Sequence, residues 1–323
     1  MKVLVTGGAG YIGSACVEEL IGQGHEVTVY DNLSEGHRAA VHPQARLVEA
    51  CLSSSENIHS VVSDFSPEVV IHFAASALVG ESMTNPGKYF GNNFGNGMNL
   101  LNACVTGKVR KIVFSSTCAT YGVPSKMPID ETCSQKPINP YGESKLMFEK
   151  ALRWYHEIHG LEFVAFRYFN ACGATPQFGE HHRIETHLIP NILKVALGQK
   201  DSCSIFGTDY PTPDGTCIRD YTHILDLAKA HITAAASNVS GYFNLGTGTG
   251  CSVREVISAC EKVTGKEIKV IEEPRREGDP PELVACPKQT QDVFDWQPDF
   301  IDIEGIVKSA WDWHLRHPNG YSE

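Results

Sequence analysis

Short apolar runs rich in β-branched residues alternate with longer amphipathic stretches through the first half of the chain. The runs are almost continuously apolar, as expected for strands of a parallel sheet covered by helices on both faces. A strand–helix alternation of this kind is typical of βαβ units. It predicts strands at residues 2–6, 26–30, 69–73, 111–115 and 163–168, and helices that include 12–23 and 92–106.

The pattern changes after residue 170. Glycine, proline, aspartate and threonine crowd residues 173–180 and 207–215, which predicts long functional loops. A strand is predicted at 242–245, and Ser252 with Glu255 forms a capping-box pattern at the start of a helix at 253–264. We interpret the chain as α/β, with a doubly wound parallel sheet (Rossmann) at 1–169. Segment 220–248 is expected to return to that domain, and 170–323 to form mainly a smaller C-terminal lobe across a cleft.

A glycine-rich turn joins the first predicted strand to the first predicted helix. Gly8, Gly10 and Gly13 have the G-x-G-x-x-G spacing, and Gly7 extends the run. Glycines there permit a tight turn and a close approach to a pyrophosphate, whose charge then lies at the helix N-terminus. The spacing alone is weak evidence, but the flanking strand and helix favour a dinucleotide site over a nucleotide-free domain.

Asp31 stands at the end of the second predicted strand. A carboxylate at this position accepts hydrogen bonds from the adenosine ribose of a dinucleotide. Its charge would repel the 2′-phosphate of NADP, so we expect NAD as the cofactor. Arg38 lies nearby in the sequence and could weaken this preference.

Thr117, Tyr141 and Lys145 form a candidate catalytic group. Thr117 follows two serines at the carboxyl end of a predicted strand, the edge at which doubly wound sheets bind ligands. Tyr141 and Lys145 are four residues apart, so both side chains share one face of a helix. The alternative is that Tyr141 begins a surface helix and Lys145 is its solvated neighbour.

A cation beside a phenol favours the phenolate. Lowering a tyrosine pKa from about 10 by about 3 units takes roughly 4 kcal/mol, which Lys145 and a nicotinamide charge could supply together. The Tyr141 phenolate would then take a proton from a sugar hydroxyl while hydride leaves the same carbon. Thr117 would hydrogen-bond to that hydroxyl and fix the geometry.

The composition is that of an ordinary globular protein, with 323 residues, 42% hydrophobic and 20% charged. The net charge of -11 argues against nucleic acid or an anionic membrane as a partner, because both attract basic surfaces. The chain runs from Met1 straight into an apolar strand, so we expect neither a signal peptide nor a membrane span. Eleven scattered cysteines without CxxC spacing are expected to be reduced thiols in the cytoplasm.

The motifs taken together resemble the extended short-chain dehydrogenase/reductase family and, within it, the UDP-glucose 4-epimerases. The resemblance spans the whole chain and includes VTGGAGYIGS, IHFAA, VGES, SSTCATYG, PYGESK, RYFN, RDYTH and PRREGD. It implies an NAD-dependent isomerase of carbohydrate metabolism that interconverts UDP-galactose and UDP-glucose. The implied reaction is a transient oxidation at C4, after which the 4-keto sugar turns over and hydride returns to its opposite face.

The resemblance implies a role for individual residues. Cofactor contacts are implied for Gly7, Gly10, Tyr11, Ile12, Gly13, Asp31, Asn32, Phe73, Ala74, Asn92, Tyr141, Lys145 and Phe169. Contacts with the UDP-sugar are implied for Thr117, Asn170, His187, Leu188, Ser204, Ile205, Phe206, Arg219, Arg276 and Asp279. Arg219 and Arg276 are the cations that an anionic diphosphate requires on an acidic protein.

Three positions depart from the commonest pattern of the family. Cys51 stands where an aspartate usually contacts the adenine, and Ala77 stands where some members carry a lysine. Leu283 occupies the position whose bulk helps to set the size of the hexose pocket in the family. The residues after Thr117 lack the Asp-Glu pair of the related 4,6-dehydratases, which argues against dehydration. A UDP-pentose or UDP-N-acetylhexosamine 4-epimerase stays open, as does a non-catalytic NAD-binding regulator.

Two further features have competing interpretations. His181, His182, Glu185 and His187 resemble a metal cluster, but they lack a recognised ligand spacing, so we expect no metal. The helix after Tyr141 has two apolar stripes, one for the core and a second that predicts a homodimer through this helix. The alternative is a helix with one wide buried face. The stripes are Met147, Ala151, Trp154 and Ile158, and Phe148, Leu152 and Tyr155.

Overall fold

A parallel sheet of seven strands forms the centre of the protein in a computed structural model that describes residues 1–276 and 278–322. The strands of the protein are β1 (Lys2–Thr6), β2 (Glu26–Asp31), β3 (Arg46–Glu49), β4 (Val69–His72), β5 (Lys111–Thr117), β6 (Glu162–Tyr168), β7 (Asn170–Cys172), β8 (Cys203–Phe206), β9 (Ile218–His223), β10 (Gly241–Leu245), β11 (Gly250–Ser252), β12 (Val270–Glu273) and β13 (Glu282–Leu283). The order in the central sheet is β10-β6-β5-β4-β1-β2-β3. This order reverses beside β1, as in doubly wound folds.

Helices cover both faces of the central sheet and also pack beneath the smaller sheets. They are α1 (Tyr11–Gly22), α2 (Ser55–Phe65), α3 (Val79–Thr84), α4 (Pro86–Tyr89), α5 (Gly97–Thr106), α6 (Pro140–His159), α7 (Leu188–Ala196), α8 (Ile224–Ala236), α9 (Val253–Thr264), α10 (Lys288–Phe294) and α11 (Ile303–Arg316). Alternate residues of β1 face opposite ways: Val3 and Val5 pack with Leu20 of α1, whereas Leu4 packs with Ile58 of α2. The apolar runs of the sequence therefore fill two cores, one on each face.

Residues beyond β6 form two small sheets and a third core. β9 pairs with β7, β11 and β13, and β12 pairs with β8. Apolar residues of α7, α9 and α11 pack together beneath these strands, among them Ile192, Val256 and Val307. β10 leaves this region and pairs with β6 in the central sheet.

The predicted fold class is confirmed. The capping box is present as predicted: the Ser252 side chain accepts from the Glu255 amide, and the helix spans Val253–Thr264. The helix predicted at 92–106 is interrupted, because Phe90–Asn96 is a π-helix and α5 begins only at Gly97. The division into 1–169 and 170–323 stays a prediction. Within the described ranges, none of the helices combines the length and apolar character that a membrane crossing requires.

Candidate functional site

The glycine-rich turn follows β1 and leads directly into α1. Gly7 has a positive φ of 77°, and its amide donates to the Tyr30 carbonyl oxygen at 2.9 Å. Gly10 is the N-cap of α1 and makes no side-chain cap. The first amides of a helix have no intrahelical partner, and with the positive end of the helix dipole they can bind a phosphate group.

Gly7 and Gly13 leave space that a larger residue would fill. A Cβ atom at Gly13 would lie 2.1 Å from the Gly7 carbonyl oxygen, and one at Gly7 would lie 2.4 Å from the Ala74 amide nitrogen. Both contacts are with backbone atoms, which cannot move aside easily. The turn therefore fits the close approach of a dinucleotide diphosphate.

Gly13→Ala is expected to weaken NAD binding by more than about tenfold, a cost above about 1.4 kcal/mol, because the new methyl group would displace the turn. Gly22 at the end of the same helix is a matched control, since a Cβ atom there meets nothing within 4 Å. Gly22→Ala should keep NAD affinity and raise stability by about 0.5–1 kcal/mol. Calorimetric titration measures the NAD affinity of both variants. Equal NAD affinities for Gly13→Ala and the wild type would contradict the prediction.

Asp31 is the buried last residue of β2. Its carboxylate accepts from the Ala9 amide at 3.0 Å and from the Leu33 amide at 2.8 Å. Burial raises the pKa of Asp31, although these two hydrogen bonds act in the opposite direction. Asp31 thus lies against the glycine-rich turn, as a ribose acceptor would, whereas the nearby Arg38 forms an exposed ion pair with Glu49.

The other residues expected to contact the cofactor lie on several elements. Phe73 and Ala74 follow β4, and their amides donate to the Thr6 carbonyl oxygen at 2.8 and 3.0 Å. The Tyr11 hydroxyl of α1 donates to the Gly173 carbonyl oxygen at 2.6 Å, which ties α1 to the loop after β7. Half-buried or exposed positions are occupied by Ile12, Asn32, Asn92 and Phe169.

Thr117, Tyr141 and Lys145 lie together at the carboxyl end of the central sheet. Thr117 ends β5, whereas Tyr141 and Lys145 lie in the first turns of α6, which Asn139 caps through the Gly142 amide at 2.8 Å. The Lys145 ammonium donates to the Ser115 carbonyl oxygen at 2.8 Å. It lies 6.0 Å from the centre of the Tyr141 ring. The sequence prediction of one shared helix face therefore agrees with this geometry.

Burial dominates the titration of both α6 side chains. It raises the pKa of Tyr141 to about 12, although a hydrogen bond with the Thr117 side chain acts in the opposite direction. Burial lowers the pKa of Lys145 to about 7, while the charge of Glu149 raises it. The expected lowering of the Tyr141 pKa is thus not a property of the protein groups alone, because burial outweighs them.

Cationic side chains expected to bind the diphosphate lie on β9 and in the loop after β12. Arg219 of β9 forms an ion pair with Asp279, and the Arg276 guanidinium lies 3.8 Å from the centre of the Phe206 ring. Arg219 also acts on the Cys118 thiol, whose pKa burial raises and the arginine charge lowers. Because Cys118 follows Thr117, this charge effect indicates that Arg219 lies near the end of β5.

The remaining residues expected to contact the sugar nucleotide are spread over several elements. Asn170 begins β7 and pairs in register with Tyr221 of β9. Ser204 and Ile205 lie in β8, and Leu188 begins α7. The side chain of His187 contacts Glu180 and Glu185 at 3.0 and 2.9 Å.

Comparison with known proteins gives the family. Residues 3–246 match the profile described as NAD dependent epimerase/dehydratase family. The chain belongs to this family. A UDP-glucose 4-epimerase of Streptococcus mutans serotype c is 49% identical over 332 residues, which span 100% of this chain and 99% of the relative. The resemblance drawn from the motifs is therefore confirmed over the full length.

Solved structures of similar proteins extend the comparison. UDP-glucose 4-epimerase from Brucella ovis in complex with NAD is 45% identical, with a TM-score of 0.94 over 97% of this chain and 98% of that chain. UDP-glucose 4-epimerase from Bifidobacterium longum in complex with NAD+ and UDP is 35% identical, with a TM-score of 0.94 over 99% and 100%. The agreement covers the central sheet and the smaller sheets alike.

Sequence reasoning missed one residue that supports α6, the helix of Tyr141 and Lys145. Asn93 is buried, and its side chain accepts from the Ser76 amide at 2.8 Å and donates to the Ser144 hydroxyl at 3.0 Å. It thereby links the loop after β4 to the residue before Lys145. Asn92 and Asn93 are adjacent in the sequence, and this pair could have indicated a role for both residues. Only Asn92 was assigned one.

The three departures from the family pattern have different surroundings. Cys51 is half-buried; burial raises the pKa of its thiol, but hydrogen bonds with Ser53 and Asn32 outweigh burial and lower it. Ala77 is exposed. Leu283 lies in β13 and pairs in register with Arg219. Cys51 is therefore beside Asn32 at the end of β2, and Leu283 is beside the expected diphosphate cation.

Proposed function

We propose that the protein is an NAD-dependent UDP-glucose 4-epimerase that interconverts UDP-galactose and UDP-glucose. The observation that carries the proposal is the meeting of Thr117, Tyr141 and Lys145 at the sheet edge that also holds the glycine-rich turn. Full-length relatives that carry this name support it.

The glycine-rich turn and Asp31 would hold NAD, with the diphosphate on the first turn of α1 and the ribose on the Asp31 carboxylate. When bound, NAD+ would supply reversible hydride transfer at C4 of the sugar and a positive charge beside the phenol. The protein groups supply the proton chemistry and the orientation.

Tyr141 would take the proton from the C4 hydroxyl and return it after the 4-keto sugar has turned over. Burial holds the pKa of the phenol at about 12, so Tyr141 becomes a base near neutral pH only when cations lie beside it. Lys145 would supply one such charge from the same helix while it is protonated, that is, below its pKa of about 7, and its hydrogen bond to the Ser115 carbonyl oxygen fixes its position. Thr117 would orient the sugar hydroxyl.

Arg219 and Arg276 would anchor the diphosphate of UDP while the sugar rotates. Arg219 is largely buried and held by Asp279, so its guanidinium is oriented before a ligand arrives. Arg276 stacks on Phe206, which leaves its N–H groups free to point outward in the plane of the guanidinium. A fixed UDP and a mobile sugar allow hydride to return to the opposite face.

Purified protein incubated with NAD and UDP-galactose should form UDP-glucose, which NMR follows directly through the anomeric proton. Tyr141→Phe is the control for a contaminating epimerase. If well-folded, NAD-loaded protein leaves UDP-galactose unchanged but turns over UDP-xylose or UDP-N-acetylglucosamine, the pentose or N-acetylhexosamine assignment replaces this one. No turnover of any of the three substrates would favour the interpretation as a non-catalytic NAD-binding regulator.

The exposed side of α6 supports a homodimer. Phe148 and Leu152 are buried in the core, whereas Trp154 and Ile158 of the other stripe are 52% and 68% exposed. Large apolar side chains exposed together on one helix mark a contact surface. A second copy packed on α6 would cover both.

Trp154→Glu is expected to convert the dimer to a monomer, because a carboxylate would be buried without a partner in the contact. Sedimentation velocity checks the mass. Glu157→Gln, an exposed change on the same helix, should leave the dimer intact. A wild-type protein that sediments as a monomer at all concentrations would overturn the dimer proposal.

The same proposal places the enzyme in the cytoplasm and in galactose metabolism. All eleven cysteines are free thiols, as expected in a reducing compartment. The net charge of -11 argues against nucleic acid or an anionic membrane as a partner, so a small anionic substrate would depend on the locally placed arginines.

A further inference from the structure

Four potential metal ligands converge in the segment between β7 and α7. They are Glu180, His182, Glu185 and His187, and one ligand atom of each lies within 4.8 Å of the other three. The spacing is Glu-x-His-x-x-Glu-x-His. His181, which looked like a member from the sequence, instead stacks on His37 with a centroid separation of 4.6 Å. Glu180 takes its place in the group.

The distances within this group are close to those of a metal coordination sphere. Glu180 Oε1 lies 3.2 Å from His182 Nε2 and 3.0 Å from His187 Nδ1, and Glu185 Oε1 lies 2.9 Å from His187 Nδ1. Tetrahedral zinc with bonds of about 2.0–2.1 Å separates its ligand atoms by about 3.3 Å. Small rotations of the side chains would therefore admit an ion.

Burial and charge also favour an ion at the centre. The Glu180 and Glu185 side chains are 6% and 4% exposed, whereas those of His182 and His187 are 25% and 42% exposed. Two carboxylates taken out of water need compensating positive charge. One divalent ion with two carboxylates and two neutral imidazoles is electrically neutral, and the exposed imidazole side gives the ion a path of entry.

We propose that Glu180, His182, Glu185 and His187 bind one divalent metal ion, and that Zn²⁺ is the ion their chemistry favours. Imidazole nitrogen and carboxylate oxygen are ordinary zinc ligands, and four protein ligands close the coordination sphere, as in structural rather than catalytic sites. The proposal replaces our expectation of no metal. It does not depend on the proposed epimerase activity, and it assigns the His187 side chain to the ion in place of the UDP-sugar contact that the family resemblance implies.

The site would clamp the loop after β7 against the cofactor turn. The His182 ring lies edge-on to the Tyr11 ring at 6.0 Å, and Tyr11 is the first residue of α1. His187 immediately precedes α7. All four ligands lie within residues 180–187, so a bound ion would fix the conformation of this loop, which contacts the beginning of α1 through His182 and leads into α7. Because folding brings the ligands together, ion binding would stabilise the folded loop.

Metal content and Co²⁺ spectroscopy test the site directly. Protein freed of metal with a chelator and then dialysed against ZnCl₂ should hold about one equivalent of zinc per chain by mass spectrometry. Co²⁺ should give the intense visible bands of four-coordinate geometry. Loss of even an outer-shell partner weakens metal sites by about 10–100-fold, so His182→Ala and Glu185→Gln should each weaken Zn²⁺ binding by about 100-fold or more.

His181→Ala is the matched control, because it removes a neighbouring histidine that is outside the cluster, and it should keep Zn²⁺ affinity. Added ZnCl₂ should raise the melting temperature of the wild type by several degrees, as a ligand of the native state does, and should not raise that of His182→Ala. Wild-type protein that stays folded after chelation but binds neither Zn²⁺ nor Co²⁺ would overturn the proposal. Equal losses in His181→Ala and His182→Ala would overturn it as well.

Discussion

Tyr141→Phe is expected to lower kcat for UDP-galactose by about 10²–10⁴-fold, the usual contribution of a positioned acid–base group. The substitution removes only the hydroxyl that would exchange a proton with the sugar. The ring and its edge contact with Tyr89 at 6.4 Å remain, so folding and NAD binding should be retained. KM should change much less than kcat, because UDP is held by groups elsewhere in the site.

Tyr155→Phe is the matched control for that prediction. Tyr155 lies on the same helix, but its hydroxyl donates to the Asn102 side chain at 2.5 Å on the exposed face. Tyr155→Phe should keep kcat within about threefold of the wild-type value. A lost surface hydrogen bond changes free energies by about 1 kcal/mol at most, and this bond does not involve the reacting atoms. Similar kcat values for Tyr141→Phe and wild type, with equal NAD content, would remove Tyr141 from the mechanism.

The cofactor turn could be predicted from the sequence because its geometry is local. A strand, a run of glycines and a helix are contiguous in the chain, and a Cβ atom at Gly13 would meet backbone atoms of Gly7 and Gly8 in the same turn. The apolar strands were predicted for the same reason: β1 and β4 are buried on both faces and read as unbroken apolar runs. β3 was missed because Arg46 and Glu49 give it polar ends at the sheet edge.

The titration of the catalytic group and the metal-ligand cluster depend on tertiary contacts. The i, i+4 spacing predicted that Lys145 lies near Tyr141, but it carried no information on burial, which decides the pKa of each side chain. Glu180 was likewise invisible as a cluster member, because only the folded loop turns its carboxylate toward His182 and His187. Spacing along a loop, unlike spacing along a helix, does not determine which side chains meet.

Glu149→Ala is expected to destabilise the protein by about 3–5 kcal/mol, the cost of leaving a buried charge without its partner. Glu149 and Arg167 are both buried and form a two-pronged ion pair, with N–O distances of 3.0 and 2.7 Å. Ser116 donates to the same carboxylate. Removal of the Glu149 carboxylate would leave the buried Arg167 guanidinium without its ion-pair partner. It would also lower the pKa of Lys145, which the Glu149 charge raises.

Glu157→Ala supplies the comparison on the same helix, because Glu157 pairs with Arg153 at 3.7 Å on the surface. Exposed pairs contribute about 0–1 kcal/mol to stability. Glu149→Ala should therefore lower the free energy of unfolding, measured with urea, several-fold more than Glu157→Ala does. A double variant, Glu149→Leu with Arg167→Met, should recover much of the loss, since apolar groups of similar volume can replace a buried ion pair. A cost below about 1 kcal/mol for Glu149→Ala would mean that water reaches Arg167 and that the pair does not stabilise the floor of the site.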